Sequence, residues 1–171
     1  MREIFIVSDS HFGHGNILKF TDSATGARVR PLWENVDEMD EYMIQKWNDT
    51  VRDEDIIYHL GDVYFAKGRE ILPRLRGRKR LILGNHDNGK DQNLHKYFEK
   101  IMMWRMFPEF GVLLSHVPVH PNTLGFKVNF NIHGHTHLND VGDPRYFNAC
   151  VEKINYTPVS VDDILKKLPT L

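Results

Sequence analysis

Asp9 and His11, Asp62, Asn85 with His86 and Asp87, His116, and His135 with His137 are the residues whose types and spacing could do chemistry. Each group follows an apolar run. Asp9-Ser10-His11 comes after Ile4–Val7, Gly61-Asp62 after a run ending at Leu60, and Gly84-Asn85-His86-Asp87 after Leu81-Ile82-Leu83. Ser115-His116 comes after Val112-Leu113-Leu114, and Gly134-His135-Thr136-His137 after Phe130-Asn131-Ile132. Asp-x-His and His-x-His spacings suit turn or extended backbone, where residues i and i+2 point the same way and can share or straddle a metal ion. Any one of these pieces reads as an ordinary turn or cap. The set reads differently, because five of the ten histidines fall within it. Carboxylate, imidazole and amide donors without thiolate suit Mn²⁺, Fe, Zn²⁺, Ni²⁺ and similar divalent cations and exclude none among them; Mn²⁺ is the expectation. The glycines Gly61, Gly84 and Gly134 let the backbone turn sharply or approach a ligand closely.

These groups need a scaffold that brings five chain segments to one rim. The apolar runs read as strands over Ile4–Val7, Asp55–Leu60, Arg80–Leu83, Val112–Leu114 and Phe130–Ile132, and their lack of strict alternation predicts burial on both faces. Asn35 with Glu38 three residues on is a capping-box pattern, and Met39, Met43 and Trp47 follow at i, i+4 spacing as the core stripe of a helix. Ser160 with Asp163 caps a last helix that would dock through Ile164, Leu165 and Leu168. Pro108 and Gly111 between apolar runs predict a hairpin within Tyr97–Ser115. Strands alternating with helical patterns make an α/β protein, whose ligand sites sit beyond the carboxyl ends of the strands.

The 171 residues fit one domain, 1–171, and such a domain buries about 70% of its unfolded surface. Hydrophobic residues at 41% and charged residues at 26% exclude disordered and fibrous classes. A formal net charge of −1 gives no strong nucleic-acid signal and no attraction to an anionic membrane. The one cysteine, Cys150, forms no intrachain disulfide, and the short apolar run after Met1-Arg2-Glu3 is neither signal peptide nor membrane span. A cytoplasmic protein is the expectation.

The ordered blocks Asp9-Ser10-His11, Gly61-Asp62, Gly84-Asn85-His86-Asp87, Ser115-His116 and Gly134-His135-Thr136-His137 resemble those of the calcineurin-like metallophosphoesterase superfamily. The wording from Ser8 to Ile17, and the tail from Asn155 to Ser160, are similar to its small bacterial and phage branch. The resemblance implies a layered α-β-β-α sandwich. It implies two divalent metal ions, one held by Asp9, His11, Asp62 and His137, the other by Asp62, Asn85, His116 and His135, with Asp62 bridging. It further implies hydrolysis of a small phosphate ester, such as a nucleotide, by a metal-bridging hydroxide. His86 would contact the phosphoryl oxygen or protonate the leaving group, with Asp87 as its candidate carboxylate partner. Gly61-Asp62 runs into Val63-Tyr64-Phe65 without the Arg clamp of the larger protein phosphatases, so that activity is disfavoured. A chain without a large cap domain leaves the site open, which favours phosphodiesters over small monoesters. The other classes weighed are a silent metal-binding scaffold and a nuclease within a larger assembly.

Several residues have weaker claims. His14 and Asn16 could reach substrate, along with Asn85 and His86, although Asn16 reads equally as a helix cap. His59 and His133 read first as satisfied core histidines, then as partners of ligands. His95 and His120 read as surface residues. Arg74 to Arg80 carries five cations in seven residues, but it enters a strand from its amino end, so a solvated loop is preferred to a phosphate-binding one. Phe12, Tyr64, Phe65 and Phe126 could stack on a base or aryl group or lie in the core, and Arg145, Tyr146 and Asn148 carry low weight. Oligomeric state is left open.

Overall fold

The structure is a computed structural model that describes residues 2–169. Strands β1 (Ile4–Val7), β2 (Ile56–His59), β3 (Arg78–Ile82), β4 (Lys100–Met102) and β9 (Val159–Ser160) form one sheet in the order β4-β3-β2-β1-β9. Strands β5 (Trp104–Phe107), β6 (Val112–Ser115), β7 (Phe130–His133) and β8 (Tyr146–Asn148) form a second, in the order β5-β6-β7-β8. Both sheets are mixed. The first is parallel from β1 to β4 with β9 antiparallel, and the second is parallel from β6 to β8 with β5 antiparallel.

Alternation along the strands sorts the side chains into two cores. Ile6, Tyr58 and Ile82 point from the first sheet towards Leu114, Phe130 and Ile132 of the second, and this cluster joins the sheets face to face. Phe5, Val7, Ile57 and Leu81 point the other way, onto helix α1 (Val36–Thr50). Helix α1 presents Met39, Met43 and Trp47 to that face as the spacing predicts, and all three are buried. Asn35 caps it by accepting from the Asp37 N–H at 2.8 Å. Two further α-helices are short, α2 (Gln92–Tyr97) and α3 (Val161–Leu165), the latter capped by Ser160 on the Asp163 N–H at 3.1 Å.

The α/β class expected from the sequence is present, with several corrections of detail. The second and third strands run 56–59 and 78–82: the Asp55 carboxylate accepts the Glu3 and Arg52 N–H groups at the amino end of β2, and the Arg78 N–H pairs with the Asp55 carbonyl at 2.8 Å, which starts β3 two residues earlier. The basic run is therefore partly strand. Its charges are also satisfied internally: Arg74 pairs with Glu41, Arg78 with Glu99, and Arg80 donates to the Tyr58 hydroxyl. Only the second half of the Tyr97–Ser115 segment is a hairpin, β5–β6 turning at Pro108–Gly111; its first half supplies β4 to the other sheet. Asn16 lies exposed inside a 3-10 turn, Gly15–Lys19, with His14 at the cap position. No helix among the described residues is long and apolar enough to cross a membrane.

Candidate metal centre

The parallel strands β1, β2, β3, β6 and β7 all end at the same rim, and each delivers its polar block there. The loops after β1 and β2 are tied together by backbone bonds, from Asp9 N–H to Gly61 C=O at 3.0 Å and from His11 N–H to Asp62 C=O at 3.1 Å. Asp9, His11, Asp62, His135 and His137 all have positive φ, between 47° and 69°. For non-glycine residues this left-handed region is sparsely populated, and such strain concentrates at functional sites. Two glycines make the approach of these loops possible. A Cβ on Gly84 would collide with the Asp62 carboxylate, and one on Gly134 with Ser8 Oγ and Asp9 Oδ2.

The side chains gather into two neighbouring groups. Asp9, His11 and His137 offer ligand atoms within 4.8 Å of one another, and so do Asp62, His116 and His135. In the first, His11 Nε2 lies 3.8 Å from Asp9 Oδ1 and His137 Nε2 lies 4.0 Å from it. In the second, Asn85 Oδ1 lies 2.8 Å from His116 Nε2 and 2.9 Å from His135 Nδ1. Asp62 stands between them: its Oδ2 is 3.7 Å from His11 Nε2 and 3.6 Å from His116 Nε2.

Supporting bonds fix which atom of each residue faces the centre. The Leu60 carbonyl lies 2.7 Å from His116 Nδ1 and can only accept, so Nδ1 carries the proton and Nε2 presents its lone pair. Glu152 Oε1 does the same for His137 through Nδ1 at 3.0 Å. Asp62 Oδ1 accepts the His86 N–H at 2.9 Å, leaving Oδ2 towards the centre. Asp9 Oδ2 accepts from Ser8 Oγ and the His135 N–H, whereas Asp9 Oδ1 and His11 Nε2 are buried without any partner. Buried polar atoms are rarely left so. Two unpartnered buried polar atoms facing each other at this separation fit a bound cation, and the donor set as a whole fits two.

Electrostatics follow from this crowding. Burial opposes ionisation of Asp9, but His11, His116 and His137 overcome it and hold the carboxyl well below its ordinary range. Burial pushes the His11 and His135 imidazoles down, and with the His11 charge it takes His14 to about 4. His137 moves the other way. Burial would lower it, yet the Glu152 hydrogen bond and charge raise it.

The seven expected ligands are thus brought together, and His86 hangs exposed at the rim with its ring 5.3 Å from that of Phe65 and 5.9 Å from that of His11. Asp87 does not pair with His86. Its carboxylate accepts three backbone N–H groups, from Asp62 and Gly84 at 2.9 and 2.8 Å and from Val63 at 3.0 Å, and so staples the loops after β2 and β3. His14 sits beside the centre with its ring stacked 4.0 Å from Phe65, while Asn16 is exposed on the turn beyond. His59 is fully buried against Ser10 Oγ at 2.8 Å, and burial takes it down to about 3. His133 is buried over the Gly134 carbonyl. His95 and His120 are exposed. Phe12 is core, Tyr64 donates to Asp91, and Arg145 pairs with Asp143. Asn148 braces the loop of His137, donating to its carbonyl at 2.9 Å.

The sequence reading missed Arg30 and Glu152. Arg30 is fully buried, donates to the Asp9 and Ser10 carbonyls, and pairs with Glu152 at 2.8 Å. Neither lies in a motif, and 122 residues separate them.

Fold and centre together define an α/β protein of two facing mixed sheets that carries paired Asp/His clusters suited to metal at its strand ends. The chain belongs to the family of the uncharacterized protein MJ1445 of Methanocaldococcus jannaschii, to which it is 38% identical over 97% of its length and 91% of the relative's. The gene 66 protein of Mycobacterium phage L5 is 29% identical over 80% of this chain and 78% of its own. Among solved structures, the protein of unknown function AQ665 from Aquifex aeolicus superposes with a TM-score of 0.75 at 27% identity, covering 97% of this chain and 99% of that one. No family model matches.

Proposed function

We propose that the protein is a cytoplasmic metal-dependent phosphoesterase of the calcineurin-like superfamily, matching its α-β-β-α sandwich in the two facing sheets and the α1 layer, with loop segments in place of the expected second helical layer over the outer face of the second sheet. The observation that carries this reading is Asp62 Oδ2, held between His11 Nε2 and His116 Nε2 at 3.7 and 3.6 Å, where one carboxylate oxygen serves both clusters. Asp9, His11, Asp62 and His137 would hold one divalent cation, and Asp62, Asn85, His116 and His135 the other. Bound there, such a pair supplies Lewis acidity towards phosphoryl oxygens and makes a water nucleophilic near neutral pH.

The chain's own residues bind and orient the ester. His86, exposed beside His11 and Phe65, donates a hydrogen bond to a phosphoryl oxygen or passes a proton to the departing oxygen. Its main-chain N–H keeps Asp62 in place at the same time. Asp87 acts through the backbone, holding the Asp62 and Asn85 loops at fixed spacing. On one flank of the site opens an apolar cavity with Asn85 and His116 in its wall, and on the other lie the stacked rings of His14 and Phe65. One organic group on phosphorus would enter the cavity and a second would lie against the stacked rings, and phosphodiesters are the favoured substrates over monoesters.

An aryl phosphodiester is expected to be hydrolysed in Mn²⁺ faster than its monoester, and chelator is expected to stop both. Asp62→Asn should lower the rate by about 10³-fold or more, the equivalent of roughly 4 kcal/mol of lost charge stabilisation, with the fold intact by circular dichroism. A metal-loaded Asp62→Asn protein with wild-type turnover would overturn the mechanism. Tight Mn²⁺ binding by the wild type without hydrolysis of either ester would favour a scaffold instead.

A further inference from the structure

A cavity of about 660 Å³ opens beside the second metal cluster, with Asn85 and His116 in its wall. Its floor is the outer face of the second sheet. Met106 opposes Leu113 across β5 and β6, and Trp104 opposes Ser115 one step nearer the centre, so these side chains share a face. Val117, Phe126 and Val128 close it from the loop that follows β6. No α-helix covers this floor among the described residues. Trp104 is 56% exposed and Phe126 90% exposed, and such apolar surface around a cleft marks a binding site.

The polar content of the walls limits what can sit there. Ser115 Oγ is already engaged, donating to the Val117 carbonyl at 2.7 Å and accepting from Asn131 at 2.9 Å. Lys127 stands beside the Phe126 ring, 5.8 Å from its centroid, where its charge favours an anionic ligand. Asn85, His116 and Thr123 are the other polar residues of the wall; over the Met106, Leu113 and Val128 floor itself, the hydroxyls of a sugar would lose water without finding partners. An apolar group would not.

We propose that this cavity seats the organic group of the phosphate ester, and that this group is an apolar aryl or alkyl moiety rather than a sugar. The assignment rests on the phosphoesterase reading of the adjoining centre. Hydrolysis then gives phosphorus the hydroxyl of water, breaks the ester P–O bond, and returns the water proton to the departing alcohol. Trp104 and Phe126 set specificity by covering the part of the organic group that lies beyond Asn85 and His116.

The test uses the Mn²⁺-loaded full chain and two non-hydrolysable probes, 1-naphthylphosphonate and methylphosphonate, titrated by calorimetry. The naphthyl probe should bind about 30-fold tighter, the gain expected from burying its rings. Trp104→Ala and Phe126→Ser, both at exposed positions and so safe for folding, should cut that preference to about threefold while leaving methylphosphonate unchanged. Equal affinities in the wild type, or a preference that survives both substitutions, would overturn the proposal while methylphosphonate binding leaves the metal reading standing. If neither phosphonate binds and no Mn²⁺ is taken up, the metal reading itself has failed and this proposal with it. A wild-type dimer that Trp104→Ala converts to monomer would make the cavity an interface, and would likewise overturn it.

Discussion

Asp9 divides its carboxylate between two tasks: Oδ2 is consumed by Ser8 and the His135 N–H, and Oδ1 is left bare towards His11 and His137. Glu152 has a comparable role behind His137, farther from the centre. Burial would protonate it, but Arg30 and His137 keep it ionised, and it in turn fixes the His137 tautomer. Carboxylates behind a metal-binding imidazole raise its basicity and hold its ring in place. Glu152→Gln is accordingly expected to weaken Mn²⁺ binding by about 10–100-fold, read by calorimetry on protein shown to be folded. Unchanged affinity would make Glu152 a purely structural partner of Arg30. The contrast between these two acids explains what the sequence made legible. Asp9 lies in a local motif, two residues from His11, and its role is written in that spacing. Glu152 reaches the centre only because β8 and the turn after it return to β1, with Val151 N–H bonding to the Ser8 carbonyl at 3.1 Å, and no local pattern encodes that return. Asp87 misled for a related reason: adjacency to His86 suggested a pair, whereas the turn sends the carboxylate back into three main-chain donors.

Among the elements, the long and strongly patterned ones were readable and the short ones were not. Helix α1 carried a cap and a stripe of buried residues, β1 and β6 carried continuous apolar runs, and β7 set Phe130 and Ile132 on either side of Asn131. Strands β4, β8 and β9 have only two or three residues each, and their register comes from the neighbours they pair with. Helix α1 does more than cover the sheet. Its Asp40 is buried, accepts the Gly13 N–H at 2.8 Å and so holds the loop between His11 and His14, while its other oxygen has no partner. Burial pushes this carboxyl from 3.8 up to about 7. An acid with a raised folded-state pKa binds more protons folded than unfolded, so its contribution is most favourable below the unfolded value and is lost as pH rises through the folded one. The wild type should therefore lose stability between about pH 4 and pH 7 through this group. Asp40→Asn keeps an oxygen for Gly13 and should flatten the decline, making the variant more stable at pH 8 by roughly 1–3 kcal/mol after allowance for solvent screening. Urea melts of both proteins at pH 5 and pH 8 check this, and parallel pH dependence would exclude Asp40 as the source.

For the whole molecule, the decisive feature is that the candidate ligands come from both sheets. Asp9, His11, Asp62 and Asn85 follow strands of the first sheet, and His116, His135 and His137 follow strands of the second. Below them the sheets are joined by apolar contacts such as Ile6, Tyr58, Leu114 and Ile132; at the rim they meet through the polar cage. The cage carries costs on its own: five residues in left-handed backbone conformations, and buried atoms of Asp9 and His11 without partners. Cations that bind the folded rim and not the unfolded chain offset those costs by mass action, worth about 2.7 kcal/mol at one hundred times the dissociation constant. For a chain of this length that corresponds to a rise in melting temperature of roughly 5–10 °C. Mn²⁺ in excess should therefore raise the midpoint by about that much over protein stripped with chelator, and the increment should shrink in His11→Ala from the first sheet and in His135→Ala from the second alike. A shift that only one of the two substitutions diminishes would mean that cations bind one sheet's loops without tying the halves together. A midpoint indifferent to Mn²⁺ would leave the strained turns and the two unpartnered buried atoms of Asp9 and His11 without the ligand that their geometry calls for.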